Sequence, residues 1–304
     1  MSIQYLSTLK PHSVYKPWGG TRLAGLKNLE AIKENQKLGE TWEVSRLSDG
    51  LSFDKNDSPL SYFTEEELPY LIKFIDTEKA LSVQVHPHDK YAARYEDSSG
   101  KTECWIILDA KPGAGIYLGF KNDVTENDFF GDVENQKDLT KYLQFHEVQK
   151  GDFFYVPAGS IHAIGPGITL AEIQQSSGIT YRVWDWNRVD EKGNSRELHI
   201  EQAKAVLNFS PDGNNQESFM LKNIFDKREQ VVIEHEQFKV NYFESQCSLN
   251  RVGIDKRVVS IVNFDEALKV QCDKVETTLK PYECCLVENG SNLEISGGKF
   301  LVIE

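Results

Sequence analysis

Hydrophobic positions in this chain recur mostly with a period of two, in short runs broken by Gly, Asn, Asp and Pro, and this pattern predicts a mainly β protein. Up to about residue 60, short apolar stretches alternate with turn residues, and only 21–26 reads as a short helix. Residues 81–86 alternate strictly, with Leu81, Val83 and Val85 on one face and Ser82, Gln84 and His86 on the other. Pro87 closes that strand, and 89–95 reads as a short helix before the Ser98-Ser99-Gly100 turn. Strands are expected to resume at Phe153 and to run through 169–174 and 180–186.

Helical spacing is confined to a few segments. Between about 122 and 146, Thr125-Glu126-Asn127-Asp128 can cap a helix, and 138–145 carries Leu139, Tyr142 and Leu143 at i, i+3 and i+4, which predicts a small helical insertion. Residues 197–207 have the look of a further helix, and 210–215, Ser-Pro-Asp-Gly-Asn-Asn, is the best linker. Beyond residue 220, runs at 231–233, 238–243, 258–262, 268–270, 283–287 and 299–303 predict a second, smaller barrel. The expected division is therefore 1–210 and 218–304, in keeping with a length of 304 residues. His235 is the only histidine of the second part, so no second metal site is expected there.

Composition narrows the partners. With 34 Lys+Arg against 47 Asp+Glu the net charge is −13, which argues against nucleic acid or an anionic membrane as partner. The five cysteines (Cys104, Cys247, Cys272, Cys284 and Cys285) are odd in number and show no C-x-x-C spacing, so neither a disulfide framework nor a zinc knuckle is expected. No run approaches the roughly 20 apolar residues of a membrane span, and no signal-peptide pattern stands at the N-terminus. A reducing cytoplasm is the expected compartment. Oligomeric state is left open, a monomer being compatible with the pattern.

The chemistry-bearing residues sit at strand ends and turns. Gln84 and His86 share the polar face of one strand and offer an amide oxygen and an imidazole nitrogen, both ligands for a borderline divalent cation. Gly151 to His162 reads G-x5-P-x-G-x2-H, an apolar strand and a Pro-x-Gly turn that delivers a histidine just past the bend. This spacing resembles the second motif of the cupin family, small double-sheet barrels with a metal inside. In the cupins' first motif an H-x-H pair is followed closely by a glutamate. Here Gln84-Val85-His86 stands in that place, with the glutamate displaced to Glu103 beyond an inserted segment.

That departure narrows the likeness. Lys16-Pro17-Trp18-Gly19-Gly20, Gly39-Glu40-Thr41-Trp42-Glu43, residues 81–86, Gly100-Lys101-Thr102-Glu103 and Tyr181-Arg182-Val183-Trp184-Asp185 resemble type I mannose-6-phosphate isomerases in their short bacterial form, over about the first two thirds of the chain. The resemblance implies two cupin-like jelly-roll barrels, one zinc ion per chain held by Gln84, His86, Glu103 and His162, and an active-site arginine at Arg182. It implies a hexose 6-phosphate substrate and interconversion of mannose 6-phosphate and fructose 6-phosphate through an enediol. His88 departs from the family's usual aspartate, which leaves two histidines available as the ligand after Gln84.

Other readings of the same residues remain open at this point. Glu103 can equally be a surface carboxylate paired with Lys101, and Arg182 can pair with Asp185 or Glu172. Lys101, two residues before Glu103, and Glu172, on the strand after His162, are the candidates for the proton-transfer base. Ser82 and Trp18 are candidates for the substrate pocket, with Trp184 and Trp186 expected to wall the cavity and pack the barrel. The alternatives to an isomerase are a non-catalytic cupin that senses a sugar and an iron-dependent oxygenase on the same barrel.

Overall fold

In the computed structural model, residues 6–27, 29, 37–250, 258–287 and 292–304 are described. Strands dominate, and among the described residues they form three antiparallel sheets. The seven-stranded sheet runs, from one edge to the other, Met220–Leu221, Phe153–Val156, Glu103–Ala110, Ile168–Gln175, Tyr70–Asp76, Leu38–Val44 and His12–Gly20. The five-stranded sheet runs Tyr181–Trp184, Val83–Val85, His162–Ile164, Gly115–Phe120 and Leu143–Glu147.

Alternation along these strands decides what each face meets. Trp105, Ile107, Leu170, Ile75, Phe154 and Val156 of the seven-stranded sheet pack with Ile116, Leu118 and Ile164 of the five-stranded sheet, and this shared interior is the first barrel's core. The opposite face of the five-stranded sheet, with Val83, Val85, Ala163 and Val183, is covered by the helices Glu126–Glu134 and Ile200–Val206 through Phe129, Phe130, Val133, Ala203 and Val206. The outer face of the seven-stranded sheet carries Tyr70, Ile72, Phe74, Cys104, Ile106 and Ile173, which pack against Val262, Leu286, Leu301 and Ile303 of the third sheet. Burying each such large apolar side chain contributes about 1.5–3 kcal/mol, so the two units are joined by a core rather than by a hinge.

The third sheet holds the strands from Glu229–Glu234 to Asn292–Ile303, and its far face closes on a separate cluster with Val259, Ile261, Val270, Cys285, Phe300 and Val302. It also takes in Leu6–Lys10, whose partner is Cys284–Val287. The start of the chain is thus a strand of its C-terminal sheet. Two polar ties cross the same boundary: the Tyr70 hydroxyl contacts Ser260 Oγ at 2.9 Å, and Lys27 Nζ pairs with buried Glu43 at 2.7 Å and donates to the Tyr282 carbonyl at 2.5 Å.

Some local expectations change. The expected helix at 138–145 is a short 3-10 turn, Thr140–Tyr142, followed by the strand Leu143–Glu147, because pairing with Gly115–Phe120 outweighs a spacing that suits either element. The helix expected at 197–207 starts later, at Ile200. The five cysteines are free and buried, and no described helix is long and apolar enough to cross a membrane.

Candidate active site

Three strand and turn devices bring the ligand-type side chains together. Gln84 lies in the middle of Val83–Val85, directly opposite His162 on one side and Arg182 on the other, so the three share one cross-strand row. His86 follows just past the strand end, where Pro87 stops the ladder. Gly159, at φ +87°, makes the turn before His162; its N–H donates to the His86 carbonyl at 2.9 Å, so the turn that delivers one histidine is tied to the other. Glu103 opens Glu103–Ala110 in the facing sheet, opposite Val156 and Gln174.

His86, Glu103 and His162 are buried and offer one ligand atom each within 4.8 Å of one another. Glu103 Oε2 lies 3.6 Å from His86 Nε2, and Glu103 Oε1 lies 3.4 Å from His162 Nε2. Gln84 Nε2 is 3.2 Å from His162 Nε2. Lys101 Nζ reaches both His86 Nε2, at 3.2 Å, and Glu103 Oε2, at 3.3 Å.

Hydrogen bonding fixes which lone pairs converge. His162 Nδ1 sits 3.0 Å from the Ser160 carbonyl, which can only accept, so the ring proton is on Nδ1 and Nε2 is a bare lone pair. The Lys101 ammonium can only donate, so His86 Nε2 is likewise unprotonated. Neither oxygen of fully buried Glu103 takes a hydrogen bond. Two imidazole lone pairs and an unsolvated carboxylate facing one point are costly without a cation. The donor set, nitrogen and carboxylate oxygen with an amide beside them, fits a divalent metal of zinc type. In Gln84, exchange of the amide oxygen and nitrogen would turn the oxygen toward His162; the nitrogen would then face Ser82 Oγ, whose hydroxyl now donates to Gln84 Oε1 at 3.2 Å.

The electrostatics follow from burial and from Lys101. Burial, and then the Lys101 charge, push the His86 imidazole down to about 3, and burial lowers His162 as well. For Glu103 burial works the other way, yet the Lys101 ammonium and the two histidines outweigh it and hold the carboxyl well below its ordinary range. The site is therefore built to be deprotonated, as metal ligands must be.

His88 takes no part in this cluster. It is exposed and caps the helix Asp89–Tyr95, its Nδ1 accepting from the Tyr91 N–H at 3.3 Å, so the histidine beside Glu103 is His86. Ser82 is buried and touches Gln84. Trp18 is buried in the barrel interior beside Leu81 and Trp105. Trp184 and Trp186 belong to the cluster on the outer face of the five-stranded sheet, not to the cavity. Arg182 makes no pair with Asp185 or Glu172; its Nη1 donates to the Glu197 carbonyl at 2.6 Å, and its Nε is buried without a partner.

The structure surrounds Glu172 with partners to which the sequence reading gave no role. Along the inner face of the seven-stranded sheet, Trp105, Glu172, Lys73 and Trp42 stand in one cross-strand row. Trp105 Nε1 donates to Glu172 Oε2 at 3.0 Å, Lys73 Nζ lies 3.1 Å from Glu172 Oε1 and 3.9 Å from Glu40 Oε2, and Trp42 Nε1 donates to Glu40 Oε2 at 2.7 Å. The signal was a lone lysine inside the apolar run Tyr70–Asp76, a charge that a strand buried on both faces must pair. Beside Arg182, Asp185 pairs with both Arg188 and Arg196. Burial, followed by repulsion from Arg196, lowers the proton affinity of Arg182, which marks three guanidinium groups close together.

A barrel of curled antiparallel sheets with this buried His/Glu/His cluster defines a cupin-type protein with a site fit for a divalent metal. Comparison with known proteins gives the family. The profile of the phosphomannose isomerase type I catalytic domain matches residues 6–108. A probable mannose-6-phosphate isomerase of Bacillus subtilis, GmuF, is 39% identical over 216 residues, 66% of this chain and 67% of its own length. The mannose-6-phosphate isomerase of Streptococcus mutans is 40% identical over 218 residues, 66% of each chain. The chain belongs to the type I phosphomannose isomerase family. Its fold is that of the crystal structure of a Bacillus subtilis mannose 6-phosphate isomerase, with TM-score 0.82 at 24% identity over 98% of both chains. The likeness therefore extends beyond the aligned two thirds.

Proposed function

We propose that this chain interconverts mannose 6-phosphate and fructose 6-phosphate, using one zinc ion held by Gln84, His86, Glu103 and His162. The observation that carries the reading is the buried, hydrogen-bond-free carboxylate of Glu103 between two imidazole lone pairs, with Lys101 and the Lys73–Glu172 row beside it. A cation bound there supplies Lewis-acid stabilisation of the charge that develops on the sugar's carbonyl oxygen. Everything else falls to the protein's own side chains.

Isomerisation needs a proton moved between C2 and C1 on one face of the planar enediol, and general catalysis of that kind is worth roughly 10²–10⁴-fold. Glu172 suits the shuttle: its Oε2 is fixed by the Trp105 indole while its Oε1 faces the Lys73 ammonium at 3.1 Å. Burial, and then the Glu103 charge, raise its carboxyl toward neutrality, where a group can both take and return a proton. Lys101, 3.3 Å from Glu103 Oε2 and released from His86 Nε2 once that lone pair is spent on the metal, is positioned as a donor to the substrate oxygens. Arg182, with Arg188 and Arg196 near it against the carboxylates of Asp185 and Glu197, offers the local positive charge that a phosphate dianion needs on a protein of net charge −13.

In this reading 1–210 supply the catalytic unit except for Leu6–Lys10, which joins the C-terminal sheet, and 218–304 form a smaller barrel that braces it except for Met220–Leu221, which closes the edge of the catalytic sheet; the enzyme works in the cytoplasm. A coupled assay with mannose 6-phosphate and elemental analysis of the purified protein test the proposal together. Turnover with one zinc per chain is expected; a metal-free protein with full activity, or a metal-loaded one with no activity on any hexose 6-phosphate, would overturn it.

A further inference from the structure

Tyr181–Trp184 is an edge strand of the five-stranded sheet, so backbone groups on its outer side have no sheet partner. At Arg182 both are taken by one residue. The His199 N–H donates to the Arg182 carbonyl at 2.8 Å, and the Arg182 N–H donates to His199 Nδ1 at 3.2 Å. A third bond joins the same two segments, from Arg182 Nη1 to the Glu197 carbonyl at 2.6 Å. The segment 196–199 is itself anchored at each end. Arg196 Nε donates to Asp185 Oδ2 at 2.7 Å, and the His199 carbonyl accepts from the Ala203 N–H at 2.9 Å, which starts the helix Ile200–Val206 with Ala203 and Val206 buried in the core. Arg182 is thus clipped, by backbone and guanidinium together, to a segment that cannot easily shift.

We propose that His199 is a positioning residue for Arg182: its Nδ1 lone pair closes the clip that holds the guanidinium in place for the substrate's phosphate. The inference rests on the isomerase reading above for its kinetic consequence but not for its structural one. A neighbouring strand would offer a carbonyl to the Arg182 N–H, but here the chain turns into a helix at Ile200, and the His199 side chain supplies the acceptor instead. Accepting there places the ring proton on Nε2, and the ring rests beside Tyr181 with the centroids 6.2 Å apart. Without that acceptor the Arg182 N–H loses its partner, and an unpaired, partly buried donor is costly enough to pull the strand edge away. The 197–199 segment then slackens, and the Glu197 carbonyl leaves Nη1. A guanidinium with no fixed direction gives up the advantage of its planar fork on a phosphate. His199 lies outside the His86, Glu103 and His162 cluster, so metal content is untouched.

The test uses three substitutions. Asparagine carries its Oδ1 where the histidine Nδ1 stands, glutamine carries its Oε1 where Nε2 stands, and leucine has no acceptor. Inhibition by inorganic phosphate should stay within about threefold of wild type in His199→Asn and weaken about 10-fold in His199→Gln and His199→Leu, the order of one hydrogen bond. KM for mannose 6-phosphate should rise by a similar factor, with kcat within about threefold and metal content unchanged. In an Arg182→Ala background, His199→Leu should weaken phosphate no further, because its effect runs through Arg182. Phosphate inhibition unchanged in His199→Leu, even with a lowered melting temperature, or an additive loss in the double variant, overturns the proposal. If the wild type does not turn over, or Arg182→Ala alone leaves phosphate inhibition unchanged, the reading above fails instead. The crystal structure of His199→Leu then decides this inference: the Arg182 guanidinium should have left the Glu197 carbonyl, and an unmoved one overturns it. If His199→Leu does not fold, His199→Gln against His199→Asn carries the same measurements, and equal phosphate inhibition in the two overturns the proposal.

Discussion

Replacing Arg182 by alanine should separate phosphate recognition from metal retention. The Arg182 guanidinium has one hydrogen bond, Nη1 to the Glu197 carbonyl at 2.6 Å, and a buried Nε with no partner, so most of its donors are uncommitted. A hydrogen bond to a charged group contributes about 1.5–3 kcal/mol, and at about 1.4 kcal/mol per tenfold its loss should lower kcat/KM for mannose 6-phosphate roughly 10- to 150-fold. Inorganic phosphate, assayed as a competitive inhibitor, should weaken by a similar factor. The metal should stay, because Arg182 is not part of the His86, Glu103 and His162 cluster and alanine preserves its backbone pairing opposite Gln84. Losing the Glu197 contact should cost no more than about 1.5 kcal/mol of stability, a shift that a thermal melt separates from the kinetic effect. Loss of metal together with activity, or phosphate inhibition unchanged in the variant, would refute the assignment and make Arg182 a structural residue.

Three further outcomes are expected. His162→Ala should remove both the metal and turnover, and elemental analysis showing full metal content would contradict the ligand assignment. Lys27→Met, which leaves Glu43 buried without its partner, should destabilise the protein by roughly 3–5 kcal/mol in urea titrations, and adding Glu43→Leu should recover much of this; equal stability of Lys27→Met and wild type would show that the pair is not structural. In metal-free protein both site histidines hold protons less well than in the unfolded chain, where they titrate near 6.5. The unfolded state then takes up protons that the folded state refuses. Stability should fall as pH drops from about 6.5 toward 3, by up to about 1.4 kcal/mol per pH unit from His86, with His162 adding a loss of the same sign and no further loss above 6.5. Identical urea midpoints for the metal-free protein at pH 7.5 and pH 5.5 would count against the neutral, buried imidazoles.

What the sequence made legible was the local chemistry. Alternation at 81–86 put Gln84 and His86 on one face, and the Pro-x-Gly turn delivered His162, both visible within a dozen residues. His88 could not be separated from His86 by type or spacing, because its exposure depends on the helix it caps. The row of Glu40, Trp42, Lys73 and Glu172 was out of reach for a different reason. Its members come from three strands, and only the register that sets Lys73 between Trp42 and Glu172 makes them neighbours. The Arg188 and Arg196 pairs with Asp185 likewise need the turn after Tyr181–Trp184 to bring them together. The strand at Leu143–Glu147 was misread because Leu139, Tyr142 and Leu143 carry helical spacing, whereas the partner that makes 143–147 an edge strand lies 23 to 32 residues earlier in the chain.

The strand Leu6–Lys10 has a consequence for how the protein is made. One of its hydrogen-bonding partners, Cys284–Val287, is made 277 to 281 residues later. The first barrel can collapse around its own interior during synthesis, but Leu6–Lys10, which pairs early only through Leu9 and Lys10 with Phe53–Asp54, must wait for its other edge to be covered. Such a long-range closure is slow to find and exposes a bare strand edge meanwhile. Moving those few residues to the far end by circular permutation would turn the last step of assembly into a local one.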